Sequence, residues 1–441
     1  MIGGLMKTTS YLAMAAAASL ILGSVSLAPT AARAADLGGD CCADLETRVA
    51  ELEATTVRKG NKKISVTLSG RVNANMIYWN DNAGVADSAN DSSSDLYFGN
   101  YGGSESNFNL SGSGKLSADT TAGFYMEIRN DFNVKIGNGS QDKHQGGPDL
   151  SPQNMYVYLN NKRLGEVRLG RPGSASGDGF YVDYGASVLG GLSGGRFTGG
   201  FQVRDTAKNL TGKTYGGTLG EWTDNGGPLR IFYATPDLGG FVGKIADGGD
   251  NILDASITYH GKHGTLNYAA GVAYVDSTES DAVTGACNVC ADAATRDTTW
   301  GVSASIFEES SGIFVSGAWD NANSNGTFFG LSALDKKDWF IRGGWQKNVT
   351  GMGLTSVDAQ YERADNGSQN IVAGVLKGTS AHKFSVGIDQ ALDAVASNVY
   401  LRYNRDTVDD TAGFTNTVGI KTFAIDSQSI DSVTAGMIVR F

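Results

Sequence analysis

The sequence predicts an all-β fold: a closed, antiparallel, 16-stranded transmembrane β-barrel preceded by a short helical coiled-coil segment. Three observations carry this reading. About sixteen stretches of the 441-residue chain alternate apolar and polar residues with a period of two. The connections between them alternate between short and long, as the turns and loops at the two ends of a spanning barrel do. The chain begins with an export signal, yet no other apolar run approaches the roughly 18 residues of a spanning helix. A membrane chain without such helices must close its sheet, because lipid offers no partner to a backbone amide.

Residues 1–34 read as a signal peptide. Lys7 supplies positive charge, Tyr11 to Leu27 is apolar, and Ala32-Arg33-Ala34 is a small-x-small cleavage site. Export implies an oxidising compartment. Loss of Lys7 and Arg33 takes the formal charge from −11 to about −13. An acidic chain argues against a nucleic-acid partner.

Residues 35–63 form a periplasmic segment of different character. Leu45, Val49, Leu52 and Thr56 follow heptad spacing, and Arg58, Lys59, Lys62 and Lys63 make a basic end. About two heptads are marginal alone. The helix is therefore expected to bundle with its own copies beneath an oligomeric barrel, or to pack on its own barrel. A tether to peptidoglycan is a further reading of the basic end. Cys41-Cys42 offers a cross-link between neighbouring subunits.

The barrel occupies residues 64–441. In its first strand Val66, Leu68, Val72 and Ala74 point one way, and Thr67, Ser69, Arg71 and Asn73 the other. That strand separates an apolar medium from water. The pattern recurs from starts near residues 106, 121, 153, 164, 228, 240, 253, 265, 298, 311, 338, 354, 380, 397 and 433. A weaker candidate at 197–204 is set aside, because it makes the count odd. Long loops fall at 80–105, 133–152, 171–227, 276–297, 321–337, 364–379 and 405–432, and the link near 248–252 is the short exception. All 6 prolines are expected in the signal segment or in turns and loops, since a proline removes a ladder donor. The 61 glycines have no triplet period, which excludes collagen, and 17 tyrosines with 18 phenylalanines argue against disorder. Tyr78, Trp79, Tyr259, Tyr274, Trp300, Trp319, Trp339, Trp345, Tyr361 and Tyr403 fall near strand ends. They suit girdles at the membrane surfaces, although β-propensity also enriches aromatics.

Other chemistry is sparse. Cys287-x-x-Cys290 sits in a polar segment and reads as a small loop disulfide, because a zinc site needs a second ligand pair. The 4 histidines show no metal spacing, and no cofactor is expected. The acidic run from Asp81 to Asp95 reads as a solvated loop, or as a bridge to lipopolysaccharide through divalent cations. No serine or histidine motif supports an enzyme.

Several stretches resemble the general bacterial porins, especially those of alphaproteobacteria such as rhizobia. They are Cys41-Cys42-Ala43-Asp44-Leu45 with the helix after it, Gly165 to Arg171 (GEVRLGR), Leu229 to Phe241 (LRIFYATPDLGGF) and the terminal VTAGMIVRF ending in Phe441. The resemblance implies a passive outer-membrane pore for small hydrophilic solutes and ions, usually a homotrimer. It also implies that Phe441 is read by the barrel assembly machinery, and that the third long loop folds into the lumen.

That loop, 171–227, is the longest, and loops of this length are usually functional or disordered. It carries Asp178 and Asp183 in GDGFYVDYG. Arg71, Arg129 and Arg168 fall at polar positions of early strands, and Arg171 ends the fifth. On the porin pattern, loop acids facing wall arginines set a transverse field across a constriction. The bland alternative pairs the arginines with lumen neighbours, such as Arg129 with Glu127 or Asp131, so that they only stiffen the wall.

Overall fold

The computed structural model describes residues 63–87, 91–100, 104–131, 141, 149–188, 200–219, 229–248, 252–277, 298–323, 327–328, 331–332, 334–372, 375–409, 411–416, 421–425 and 427–441. The signal peptide, the helical segment apart from Lys63, and all four cysteines, Cys287 and Cys290 included, lie outside these residues.

Sixteen antiparallel positions make one closed wall. β1 is Ser65–Asn80, and β2 comes in two pieces, Ser94–Gly99 and Ser106–Lys115. β3 is Thr120–Asp131, β4 Asp149–Asn161, β5 Gly165–Arg171, β6 Arg230–Ala234 and β7 Phe241–Gly248. β8 is Leu253–His263, β9 Leu266–Asp276, β10 Thr298–Glu308, β11 Ile313–Asn323 and β12 Lys336–Lys347. β13 is Thr355–Val372, β14 Val375–Leu392, β15 Ser397–Val408 and β16 Gln428–Arg440. β16 returns to β1 in register from Arg71↔Arg440 to Asn80↔Asp431, so the wall has no open edge. The two pieces of β2 pair with successive halves of β1, Ser106–Lys115 with its start and Ser94–Gly99 with its end.

The wall is inverted relative to a soluble core. On β1, Leu68 and Val72 are 52% and 46% exposed on the outer face, while Asn73 is 0% exposed on the inner face. The same inversion recurs on β13, where Val357 is exposed and Asp358, Gln360 and Glu362 are buried. Lipid accepts the outer side chains, and the inner ones find hydrogen-bond partners or water.

The observed strands match the sixteen expected ones in order. Three differences are instructive. The candidate set aside at 197–204 contains a real strand, Gln202–Arg204, but it pairs with Leu210–Thr214 inside the long loop and not with the wall. The expected loop 364–379 is largely ladder, since β13 and β14 continue to Val372 and Val375 past a bulge between Ala364 and Ser368. Ser94–Gly99 is likewise ladder within the expected loop 80–105. Beyond the lipid a ladder needs no apolar face, so it persists where the alternation that advertises it has stopped.

Aromatic residues mark both rims of the outer face. Trp300 and Trp319 meet at 4.7 Å and Trp339 and Tyr361 at 5.5 Å toward the long loops. Phe241 and Tyr259 meet at 4.5 Å toward the short turns. Trp79 is a correction to the expected girdle. It shares the inner face of β1 with Asn73 and Asn75 and is fully buried against Tyr97 and Phe201. An odd residue number on β1 points inward, whatever its side chain.

The seam is closed by the last residue. Gly70 N donates to Phe441 O at 2.9 Å, and Phe441 N donates to Gly70 O at 3.1 Å. A Cβ at Gly70 would lie 2.4 Å from the Asn107 carbonyl oxygen. Gly70→Val is therefore expected to force the backbone apart, at a cost of about 1–3 kcal/mol, and to lower the temperature at which the folded gel band disappears. An unchanged transition would show that the seam adapts.

Candidate pore constriction

The inner faces of the early strands carry the basic groups. Across β1, β2 and β3 the register runs Arg71↔Asn107↔Arg129, which brings two arginines to one row. Each has a carbonyl or carboxylate close by. Arg71 Nε donates to the Glu105 carbonyl at 2.9 Å. Arg129 lies 3.4 Å from the Glu127 carboxylate and 3.6 Å from that of Glu105. Glu127 also accepts from Asn107 at 3.0 Å and Asn154 at 2.8 Å. On β5, Arg168 pairs with Glu166 at 2.5 Å, and its guanidinium lies 5.0 Å and 4.6 Å from the ring centres of Tyr156 and Phe232. The row of cations read from the sequence is thus a mixed strip of arginine and glutamate.

Arg171 does not join it. Arg168 and Arg171 are three residues apart, and an odd spacing on a strand puts them on opposite faces. Arg171 is cross-strand from Met155, an outward residue, and its Nη1 donates to the Pro152 carbonyl at 2.9 Å.

Residues 175–188 of the long loop lie against the inner wall. Ala175 N and Ser176 N donate to Asp254 on β8 at 2.9 and 3.3 Å, beside Arg230 at 3.3 Å from the same carboxylate. The short helix α1, Gly177–Phe180, follows. A Cβ at Gly179 would lie 2.5 Å from the Val272 carbonyl oxygen on β9, so glycine permits this close approach. The chain then steps along successive strands. Val182 N and Tyr184 N donate to Ser303 and Ser305 of β10 at 3.2 and 3.0 Å. Ala186 N donates to Gln346 of β12 at 2.7 Å, and Ser187 Oγ to Asp389 of β14 at 2.7 Å.

The distal part of the loop packs on β1 and β16. Phe201, Val203, Tyr215 and Leu219 are buried with Ile77, Trp79 and Ile430. Arg204 fixes this arm. Its Nε donates to Asp81 at 2.7 Å, and its two terminal nitrogens donate to Asp91 at 2.9 and 2.7 Å. Burial pulls the Arg204 pKa down, but its hydrogen bonds to the Asp91 and Asp81 carboxylates outweigh it and hold the pKa above its ordinary value.

The two loop acids part company. Asp178 has a side chain 66% exposed and touches Lys244 of β7. Asp183 is 5% exposed and is held by Arg342 of β12, by Tyr181 Oη at 2.8 Å and by Gly185 N at 2.8 Å. Asp178 can act on the opening, whereas Asp183 anchors the loop to the wall. Arg342 continues to Asp358 at 3.1 Å, and Asp358 to Arg402 at 2.7 Å. Alternation places Asp358 and Arg402 on inner faces, but gives no sign of their partners. Arg342 follows the same parity. Arg204 lies in the segment that strand counting sets aside.

The family model for Gram-negative porins matches residues 13–411. The chain belongs to the Gram-negative porin family. It is a passive channel of the bacterial outer membrane. No curated protein matches the chain. Among solved structures it is similar to an anion-selective porin from Comamonas acidovorans, with 17% identity and a TM-score of 0.50 over 86% of this chain and 100% of that one. It is also similar to OmpT, an outer membrane protein of Vibrio cholerae, at 14% identity and a TM-score of 0.52 over 87% and 99% of the two chains. The trimer form of OmpT gives 14% identity and a TM-score of 0.51 over 86% and 100%. At these identities the similarity speaks for the fold. The porin's own residues must carry the rest.

Proposed function

We propose that this porin works as a homotrimer of water-filled pores, each narrowed by the loop 171–227. The observation that supports the narrowing is the chain of hydrogen bonds from Asp254 to Asp389, which ties residues 175–187 to the inner faces of β8 to β14. Asp178 then faces an opening whose wall carries Arg71, Arg129, Arg168 and Lys244. Small hydrophilic solutes and ions cross it by diffusion.

The trimer is supported by the wall itself. β5, β6 and β7 have only 7, 5 and 8 residues, while a tilted strand needs about 9–11 to cross the hydrocarbon. Their outer residues are apolar, Val167, Leu169, Ile231 and Ile245 among them. Neighbouring copies would cover this low sector better than lipid. The trimer form of the similar OmpT fits the same reading. The remaining outer face would meet lipid and lipopolysaccharide, Phe441 would serve the assembly machinery, and peptidoglycan would be a further partner.

Charge at the opening is nearly balanced, with Glu105, Glu127, Glu166 and Asp178 opposing the four cations. Weak ion selectivity follows. Asp178→Asn should shift the reversal potential in a salt gradient toward anions, more at low salt than at high, because screening shortens with ionic strength. A planar-bilayer recording tests the whole reading. Ohmic current that closes in three equal steps, with the expected shift in the variant, supports it. A folded barrel that passes no current overturns it, and an unchanged reversal potential removes Asp178 from the opening.

A further inference from the structure

Below the arginines the inner wall carries three tyrosines, of which one, Tyr156, also meets the Arg168 guanidinium at 5.0 Å. Tyr125 of β3 and Tyr156 of β4 are cross-strand neighbours with ring centres 5.6 Å apart. Tyr156 and Tyr158 lie on the same face of β4 at 6.4 Å. The neighbouring wall positions are glycine. Gly170 stands across from Tyr156, and Gly123 across from Tyr158. A Cβ at Gly123 would fall 2.6 Å from the end of the Tyr158 ring, so the ring end rests where another residue's side chain would stand. The three rings are half-exposed. No hydrogen bond joins their hydroxyls to the protein among the described residues, which leaves those hydroxyls to water or to a solute. Tyr125 is four residues from Arg129 toward the short turns, roughly 13 Å along the strand. The strip therefore runs from the constriction toward the periplasmic exit.

We propose that this strip is a solute subsite for neutral polyhydroxylated molecules, short oligosaccharides above all; it rests on the open-pore reading given above. A sugar ring has an apolar C–H face and a rim of hydroxyls that both donate and accept. Tyr125, Tyr156 and Tyr158 supply a surface for the face. The Arg129–Glu127 and Arg168–Glu166 pairs border the strip and supply fixed donors and acceptors for the rim. Such a site combines apolar area with a few placed polar groups, as ligand sites do. The charge pattern chooses between ligands: each arginine beside the strip is matched by a carboxylate, so an aromatic anion gains stacking without net attraction.

The test is block of the single-channel KCl current by a neutral malto-oligosaccharide, with benzoate as the anionic comparison. The sugar is expected to interrupt the current of the full-length porin. Tyr125→Ala/Tyr156→Ala/Tyr158→Ala should weaken the block about tenfold or more, the equivalent of 1.4 kcal/mol. The triple phenylalanine variant keeps the rings and should retain most of the block; it also serves if the alanine variant does not fold. An unblocked but conducting pore, a block unchanged in the alanine variant, or block by benzoate alone overturns the subsite while leaving the channel intact. A folded barrel with no KCl current overturns both.

Discussion

Arg342→Ala is expected to turn a quiet channel into a flickering one with lower mean conductance. The side chain is 0% exposed and joins three parts of the molecule. It binds Asp183 of the loop and Asp358 of β13, and its guanidinium lies 5.1 Å from the Phe314 ring centre. Removing it leaves Asp183 without this cation in a poorly solvated place, while Asp358 keeps Arg402 at 2.7 Å. Breaking one side of a buried pair costs about 3–5 kcal/mol, and the nearby lumen water will relieve part of that. The sixteen-stranded ladder does not depend on Arg342, so the barrel should still fold. The loop is the weaker structure and gives way. Freed at Asp183, residues 181–188 retain backbone bonds to Ser303, Ser305 and Gln346, but lose the charge that draws them to β12. The segment then fluctuates into the opening that it now borders. Arg342→Lys should be intermediate, because an ammonium cannot serve two carboxylates with a planar fork. Wild-type conductance and noise in the alanine variant would show that the backbone bonds alone set the loop.

This clamp also shows where sequence reading stops. The wall was legible because lipid on one side and water on the other impose a period of two that nothing else in the chain imitates. Val357, Asp358, Ala359 and Gln360 announce both the strand and its faces. What alternation cannot give is the partner across the lumen. Arg342 and Asp183 are 159 positions apart, and only barrel closure and the infolded loop bring them together. The same limit explains Asp183. In GDGFYVDYG it looks like a second Asp178, yet one side chain stays exposed and the other is sequestered. Arg171 fails for a simpler reason, since parity alone separates it from Arg168. Where the chain leaves the lipid, as at Ser368 to Asn370 past the bulge, the ladder continues without its apolar signal and is mistaken for a loop.

Arg204→Ala is expected to release the distal arm of the same loop without disturbing the part held at Arg342. Arg204 is 2% exposed and spends its donors on Asp81, Asp91, the Ser92 carbonyl at 2.7 Å and the Lys208 carbonyl at 2.8 Å. It is the polar link between the arm and the loop after β1. Its loss leaves Asp81 buried without that cation, again at about 3–5 kcal/mol. The apolar contacts remain, with Phe201 4.8 Å from Trp79, so the arm should loosen before it leaves. Trypsin reads this directly at Lys208 and Lys213, and cleavage there should accelerate by at least tenfold in the variant, the equivalent of 1.4 kcal/mol. A protected arm would mean that the aromatic cluster suffices. The two clamps share no partner, so their effects on the ratio of open to closed time should add within about 0.5 kcal/mol in the double variant. A larger coupling would show that residues between the clamps transmit strain, and that the loop moves as one body. Additivity would make it two independent gates on one pore.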